Sequence, residues 1–219
     1  MDKGTTAERY VSAGIHTTMY TIVPMLAFLA WVIVMPIILF GGMMTSVNDA
    51  QGTFQTLFIF SLPMLLFFAA IPILLQVKKG ISLKDLGLQF VRDKKNIILL
   101  LVNSFAAIVI ISRIVVLEAN ISEAVPIIIQ LCAIGISEEI LCRGIIYHEI
   151  ENGFHSKIAA VIVSSIIFAF LFHSGDTDLA NLVIRFPLGI IFAALRCYTG
   201  NVYNGIVMHI WYNSLMFIL

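Results

Sequence analysis

The sequence predicts an all-α protein, a polytopic membrane helix bundle of about seven transmembrane helices. Three observations lead there. Of 219 residues, 60% are hydrophobic, the mean hydropathy is +1.00, and only 12% are charged, about half the roughly 25% usual in soluble domains. Apolar runs approaching the roughly 20 residues of a membrane helix recur along the whole chain. The runs are continuous, whereas barrel strands would alternate over about ten residues. The 13 basic and 13 acidic side chains cancel, so no electrostatic argument favours a nucleic-acid partner. Three cysteines give no disulfide framework. Cys132 and Cys142 stand roughly 15 Å apart along one helix, beyond disulfide reach.

The first expected span is Met19–Phe40. The residues before it are polar, and no small-residue cleavage site follows a short apolar core, so it is expected to remain as an anchor. The second is Phe54–Gln76. Neither contains an acidic or basic residue, which suits a scaffold. Asn96–Val116 and Val125–Ile146 follow, then the shorter or polar-interrupted Ile158–His173, Asn181–Leu195 and Gly205–Leu219. All six prolines (Pro24, Pro36, Pro63, Pro72, Pro126, Pro187) fall in or at the start of these spans. Membrane helices tolerate them because neighbours re-satisfy the freed backbone groups.

Orientation follows the loop lysines and arginines. Loop Val77–Lys95 carries Lys78, Lys79, Lys84, Arg92, Lys94 and Lys95. The opposite loops, around Asp49, Glu118–Glu123 and Asp176–Asp178, carry no lysine or arginine. The pattern predicts seven crossings, with the N-terminus inside. Within the basic loop, the apolar residues from Ile81 to Val91 predict a short interfacial helix. The chain divides into an N-terminal transmembrane scaffold with this loop, residues 1–120, and a C-terminal helical core, residues 121–219.

A charge within a span costs at least about 2.5–3.5 kcal/mol on insertion scales, so such residues mark cavities or partners. They concentrate in the C-terminal half: Glu138, Glu139, Arg143, His173, Arg185 and His209, with Asn213 nearby. Glu139 and Arg143 are i, i+4 and share a helix face, which predicts an ion pair. Glu138 points about 100° away and has no local cation, the setting of a general base. A purely structural network of both glutamates with Arg143 is the competing reading. Alone, His173 reads as an interfacial histidine at a helix end. His209 and Asn213, again i, i+4, share a face and need partners in the bundle. Two histidines and a glutamate could bind zinc or organise a water; the chain has no H-E-x-x-H motif. His148 and His155 read as a solvated loop with Glu149 and Glu151, His16 as interfacial, and Asp176 and Asp178 as a solvated outer turn. Arg113 and Arg185 either pair with acids or snorkel.

Glu138-Glu139-x-x-x-Arg143, a Phe-rich helix ending in His173, and His209-x-x-x-Asn213 occur in that order. Together they resemble the CPBP family, which comprises CAAX-processing endoproteases of the prenyl-protease type and Abi relatives linked to bacteriocin processing and immunity. The resemblance covers about Val125–Leu219, including Gly189–Asn213 as the family's typical final segment. It implies an intramembrane endopeptidase. Glu138 would activate the attacking water with help from His173. His209 and Asn213 would stabilise the oxyanion or, in a metalloprotease, help ligate a divalent metal such as zinc with Glu138 and His173. Glu139 and Arg143 would hold the helix in register. One residue departs from the pattern. The family's second motif is Phe-x-x-x-His, but position 169 is alanine and Phe168 lies five residues before His173.

The expected partners are the lipid bilayer and a membrane-associated protein or peptide substrate, and the expected location is a bacterial cell membrane. A bacterium without prenylation would offer a peptide precursor, a signal-peptide remnant or a membrane regulator. The alternative is a non-proteolytic membrane partner, such as a bacteriocin self-immunity or sensor-regulating protein. A transporter would need paired repeats with broken helices, which are not seen. Acyl transfer lacks an obvious nucleophile motif. Straight spans would also leave His173 far from Glu138 in depth.

Overall fold

The computed structural model describes every residue except 1–4, 45, 47, 48, 119, 174 and 176. The described residues form seven helices and no strand. They are α1 (Thr6–Phe40), α2 (Gly52–Lys78), α3 (Lys94–Leu117), α4 (Ile121–Phe154), α5 (Lys157–Phe172), α6 (Asp178–Thr199) and α7 (Tyr203–Ile218). Five are long and apolar enough to cross a membrane; α5 and α7 are shorter. The protein is an integral membrane helix bundle.

Local chemistry sets the helix ends. Thr5 and Glu8 form a reciprocal capping box at α1. Asp93 Oδ1 accepts from Asn96 N at 2.8 Å to start α3, and Ser156 Oγ accepts from Ala159 N at 3.2 Å to start α5. Gly200 ends α6 at φ 72°, a left-handed cap that glycine adopts without a Cβ clash. Asp176 lies outside the described residues, and Asp178 opens α6 exposed to solvent.

Lipid is as apolar as leucine, so packing and polar contacts hold such helices together. Small residues allow close approach. A Cβ on Gly135 of α4 would lie 2.7 Å from Ile210 Cγ1 of α7, and one on Gly189 of α6 would lie 3.1 Å from Ser165 Cβ of α5. Ser61 of α2 donates to Gln130 Oε1 of α4 at 2.7 Å within the buried interior. The apolar core joins Tyr20, Met64 and Phe68 to Leu141, Phe168 and Phe192. On α3, Phe105 is 71% exposed and faces the lipid side.

Several expectations need correction. The interfacial helix over Ile81–Val91 does not form; the segment is a series of turns that folds onto the bundle. Leu86 is fully buried. Main-chain oxygens of Asp85, Gly87 and Leu88 accept from Arg196 Nη2, Val202 N and Tyr203 Oη at 3.0, 3.0 and 2.6 Å. Gly87 (φ 70°) cannot be replaced simply, because a Cβ there would lie 2.4 Å from Arg196 Nε. Ser82 donates from both its hydroxyl and its backbone N–H to Asp85, which holds that carboxyl below its ordinary value.

Within the expected solvated loop, His148 and Glu149 instead belong to the end of α4, which continues to Phe154, whereas His155 is exposed in the turn that follows. Likewise α1 begins at Thr6 rather than Met19. These two ends pair: Tyr10 stacks on Phe154 at 4.7 Å, Arg9 meets His155, and His16 Nδ1 donates to Glu149 at 3.1 Å. His148 is buried and accepts from Asn152 Nδ2 at 2.8 Å. Polarity here marks a contact between two helix ends, not where the helices stop.

The expected depth mismatch also disappears. Glu138 lies about 16 residues before the end of α4 and His173 about 16 after the start of α5, so both stand roughly 24 Å from the α4–α5 turn. Because α5 is short, His173 ends inside the bundle, level with Glu138.

Candidate active site

Glu139 on α4 is fully buried. Its Oε1 meets Arg143 Nη1 at 3.2 Å and His209 Nδ1 at 3.1 Å. The expected i, i+4 pair therefore forms, and α7 supplies a second donor. Arg143 is also fully buried. Its guanidinium lies 4.4 Å from the Phe168 ring centroid and 5.3 Å from that of Phe192, and Nη2 donates to the Gly189 carbonyl at 3.1 Å. Desolvating a charge pair is costly unless further hydrogen bonds and good geometry offset it. Here two aromatic faces and a carbonyl contribute.

His209 stacks on Phe192 at 4.8 Å and presents its edge to Phe168 at 5.6 Å. Its Nε2 lies 3.9 Å from Glu138 Oε2, too long for a direct hydrogen bond. One imidazole thus stands between two glutamates. Glu139 fixes the Nδ1 side and Glu138 faces the Nε2 side. Glu138 is 7% exposed, and its Oε2 has no hydrogen-bond partner among the described residues.

His173 terminates α5. Its Nδ1 donates to the Phe168 carbonyl at 3.0 Å. A carbonyl only accepts, so Nδ1 carries the proton and Nε2 keeps its lone pair when the ring is neutral. Asn181 Nδ2 donates to the His173 carbonyl at 3.1 Å, tying the chain end to α6. Glu138, His209 and Arg185 are all close enough to interact electrostatically with His173.

The departure at position 169 has a physical explanation. Phe168–Phe172 is a π-helical turn, whose hydrogen bonds run i to i+5 rather than i to i+4. The extra residue brings Phe168 beneath His173, with ring centroids 4.8 Å apart. An aromatic five residues ahead therefore makes the contact that a four-residue spacing makes in a regular helix. The same ring touches Arg143 and His209, so Phe168 joins all three motifs.

Asn213 lies one turn beyond His209, half-buried, and its side chain makes no hydrogen bond with the described residues. Arg113 sits exposed near the end of α3, and Arg185 lies on α6 within electrostatic reach of His173. Sequence reasoning included Gly189, Phe192 and Gly205 in the final segment without a role for any of them, and missed Asn181. Gly205 precedes His209 by one turn, and a Cβ there would lie 2.9 Å from Glu139 Oε2. That spacing was a readable signal that something bulky sits opposite.

Glu138, His173 and His209 were also the candidate metal ligands. Among the described residues, no three His, Cys, Asp or Glu side chains stand where they could hold a metal ion. The donor types would suit zinc, but as they are placed here they do not form a three-ligand site. The arrangement does fit proton transfer: a little-exposed carboxylate, two imidazoles and a rigid aromatic surround.

Residues 120–215 match the family model described as type II CAAX prenyl endopeptidase Rce1-like. No curated protein and no solved structure matches the chain. The resemblance carried by the three motifs therefore holds across α4 to α7.

Proposed function

We propose, on the premise that α4 to α7 are Rce1-like, that this protein is an intramembrane endopeptidase cutting a membrane-associated protein or peptide. Catalysis would reside in residues 121–219, with residues 1–120 as scaffold. The observation that carries this reading is His209 held between Glu138 and Glu139, with His173 brought to the same depth.

Glu138 is the general base. It takes a proton from water as the oxygen attacks the scissile carbonyl, and returns it to the leaving amine as the C–N bond breaks. His173 accepts a hydrogen bond from the same water through Nε2 and so orients it. Negative charge then develops on the carbonyl oxygen. His209, which Glu139 orients through Nδ1, presents its Nε2 edge to that oxygen, and Asn213 donates from its side-chain amide. Donors fixed in place beforehand are the largest source of stabilisation for such an oxyanion. Arg143 and Glu139 are positioning residues that keep α4, α6 and α7 in register.

The test is cleavage of a membrane-anchored reporter peptide by purified protein in lipid vesicles. Wild type should release the fragment, and Glu138→Gln should not, at equal helical content. Full turnover by Glu138→Gln would refute the glutamate-base mechanism.

A further inference from the structure

A groove of about 340 Å³ runs along the lipid-facing surface between α1 and α2. Buried Tyr20, Pro24 and Pro72 form its floor, while exposed Val23, Ile71 and Leu75 form its walls. Two of the six prolines thus lie in the floor, with no N–H to satisfy and little side-chain bulk. The groove is apolar along its length. It extends from Ala27 toward His16 and Lys79 at the basic-loop end. That stretch of α1 covers about 11 residues, roughly 16 Å at 1.5 Å per residue. It matches one leaflet of a hydrocarbon core about 30 Å thick.

The mouth is cationic. Lys79 Nζ stands 5.2 Å from the Tyr20 ring centroid, so its long side chain is held at the groove opening rather than spread into solvent. Lys78 is adjacent in sequence. The nearby Glu149 carboxylate is already engaged by Gln76 Nε2 at 2.5 Å and His16 Nδ1 at 3.1 Å. An apolar trough one leaflet long, ending at a held lysine, complements an acyl chain bearing an anionic headgroup. Anionic lipids attract basic residues placed just outside the membrane.

We propose that this groove is a binding site for one anionic phospholipid of the leaflet on the basic-loop side, with an acyl chain in the trough and the phosphate at Lys79.

The experiment uses the full chain in detergent, offered phosphatidylglycerol and phosphatidylcholine with identical acyl chains, and counts retained lipids by native mass spectrometry. Wild type should retain phosphatidylglycerol about fivefold over phosphatidylcholine. Lys79→Gln should abolish the preference, while Lys84→Gln, in the loop away from the groove, should keep it. Ala27→Phe, which fills the trough, should lower retention of both lipids. If that variant does not fold, Val23→Trp on the exposed wall obstructs the same groove. Excess inorganic phosphate should not displace the lipid, because the chain supplies the binding. Equal retention of the two lipids would overturn the proposal. So would a preference that survives Lys79→Gln, retention that survives a blocked groove, or displacement by phosphate alone.

Discussion

His209 Nδ1 lies 3.1 Å from Glu139 Oε1, the same oxygen that Arg143 Nη1 approaches at 3.2 Å. One buried carboxylate oxygen therefore links α4 to α7, while the arginine it holds reaches α6 through the Gly189 carbonyl. In the proposed mechanism the first glutamate of the pair is the base, and the second holds the histidine beside it.

Replacing Glu139 should separate these roles from simple packing. Glu139→Gln keeps the shape but leaves the Arg143 charge without a counter-ion in a fully buried site. Breaking a buried pair costs about 3–5 kcal/mol. Thermal unfolding in detergent should show that loss, and reporter cleavage should fall at least about tenfold. Glu139→Asp should recover part of the stability.

Arginine and lysine should not exchange at position 143. Only the planar guanidinium can lie beside Phe168 and Phe192 while meeting both Glu139 and Gly189. Arg143→Lys should cost about 1–3 kcal/mol, and Arg143→Ala should further lower the amount of folded protein. Normal yield and stability of Arg143→Ala would contradict the pairing.

The π-helical turn makes a prediction about spacing. Phe168→Ala removes a fully buried ring and should cost about 3–5 kcal/mol, with loss of cleavage. Moving the aromatic one residue, as Phe168→Ala with Ala169→Phe, should not restore activity, because the i to i+5 turn would carry the new ring away from His173. Recovery in the double variant would show that the turn is a regular α-helix.

Gly205→Ala introduces a Cβ 2.9 Å from Glu139 Oε2. The carboxylate must shift, and with it His209. A cost of about 1–3 kcal/mol is expected. The cleavage rate should fall more than substrate affinity, since the displaced groups are those proposed to act at the reacting centre.

Arg196 clamps the basic loop through Asp85 O at 3.0 Å and reaches Arg143 O at 3.3 Å. Arg196→Gln should loosen the turns around Leu86. Limited trypsin digestion should then cut at Lys84 sooner than in wild type, while the helical content stays unchanged.

Much of this was legible in the residues. Long apolar runs reveal membrane helices because lipid permits little else, and i, i+4 spacing placed Arg143 on Glu139 before any coordinates. The ends of α1 and α4 were not legible. Glu149, Asn152 and His148 look like loop residues, yet they pair within and between helices. The loop over Ile81–Val91 reads as amphipathic, but its backbone is held by Arg196, Val202 and Tyr203, far away in sequence. The i to i+5 turn beneath His173 was visible only as an odd spacing of Phe168, and its meaning required the backbone path.

The most direct measurement compares peptide termini in membranes of cells carrying wild type or Glu138→Gln at equal abundance. The account predicts new membrane-proximal termini with wild type alone, which would also identify the substrate. Identical termini in both strains, with the biological phenotype intact in each, would contradict it and leave the glutamates and histidines as architecture for a non-proteolytic membrane partner.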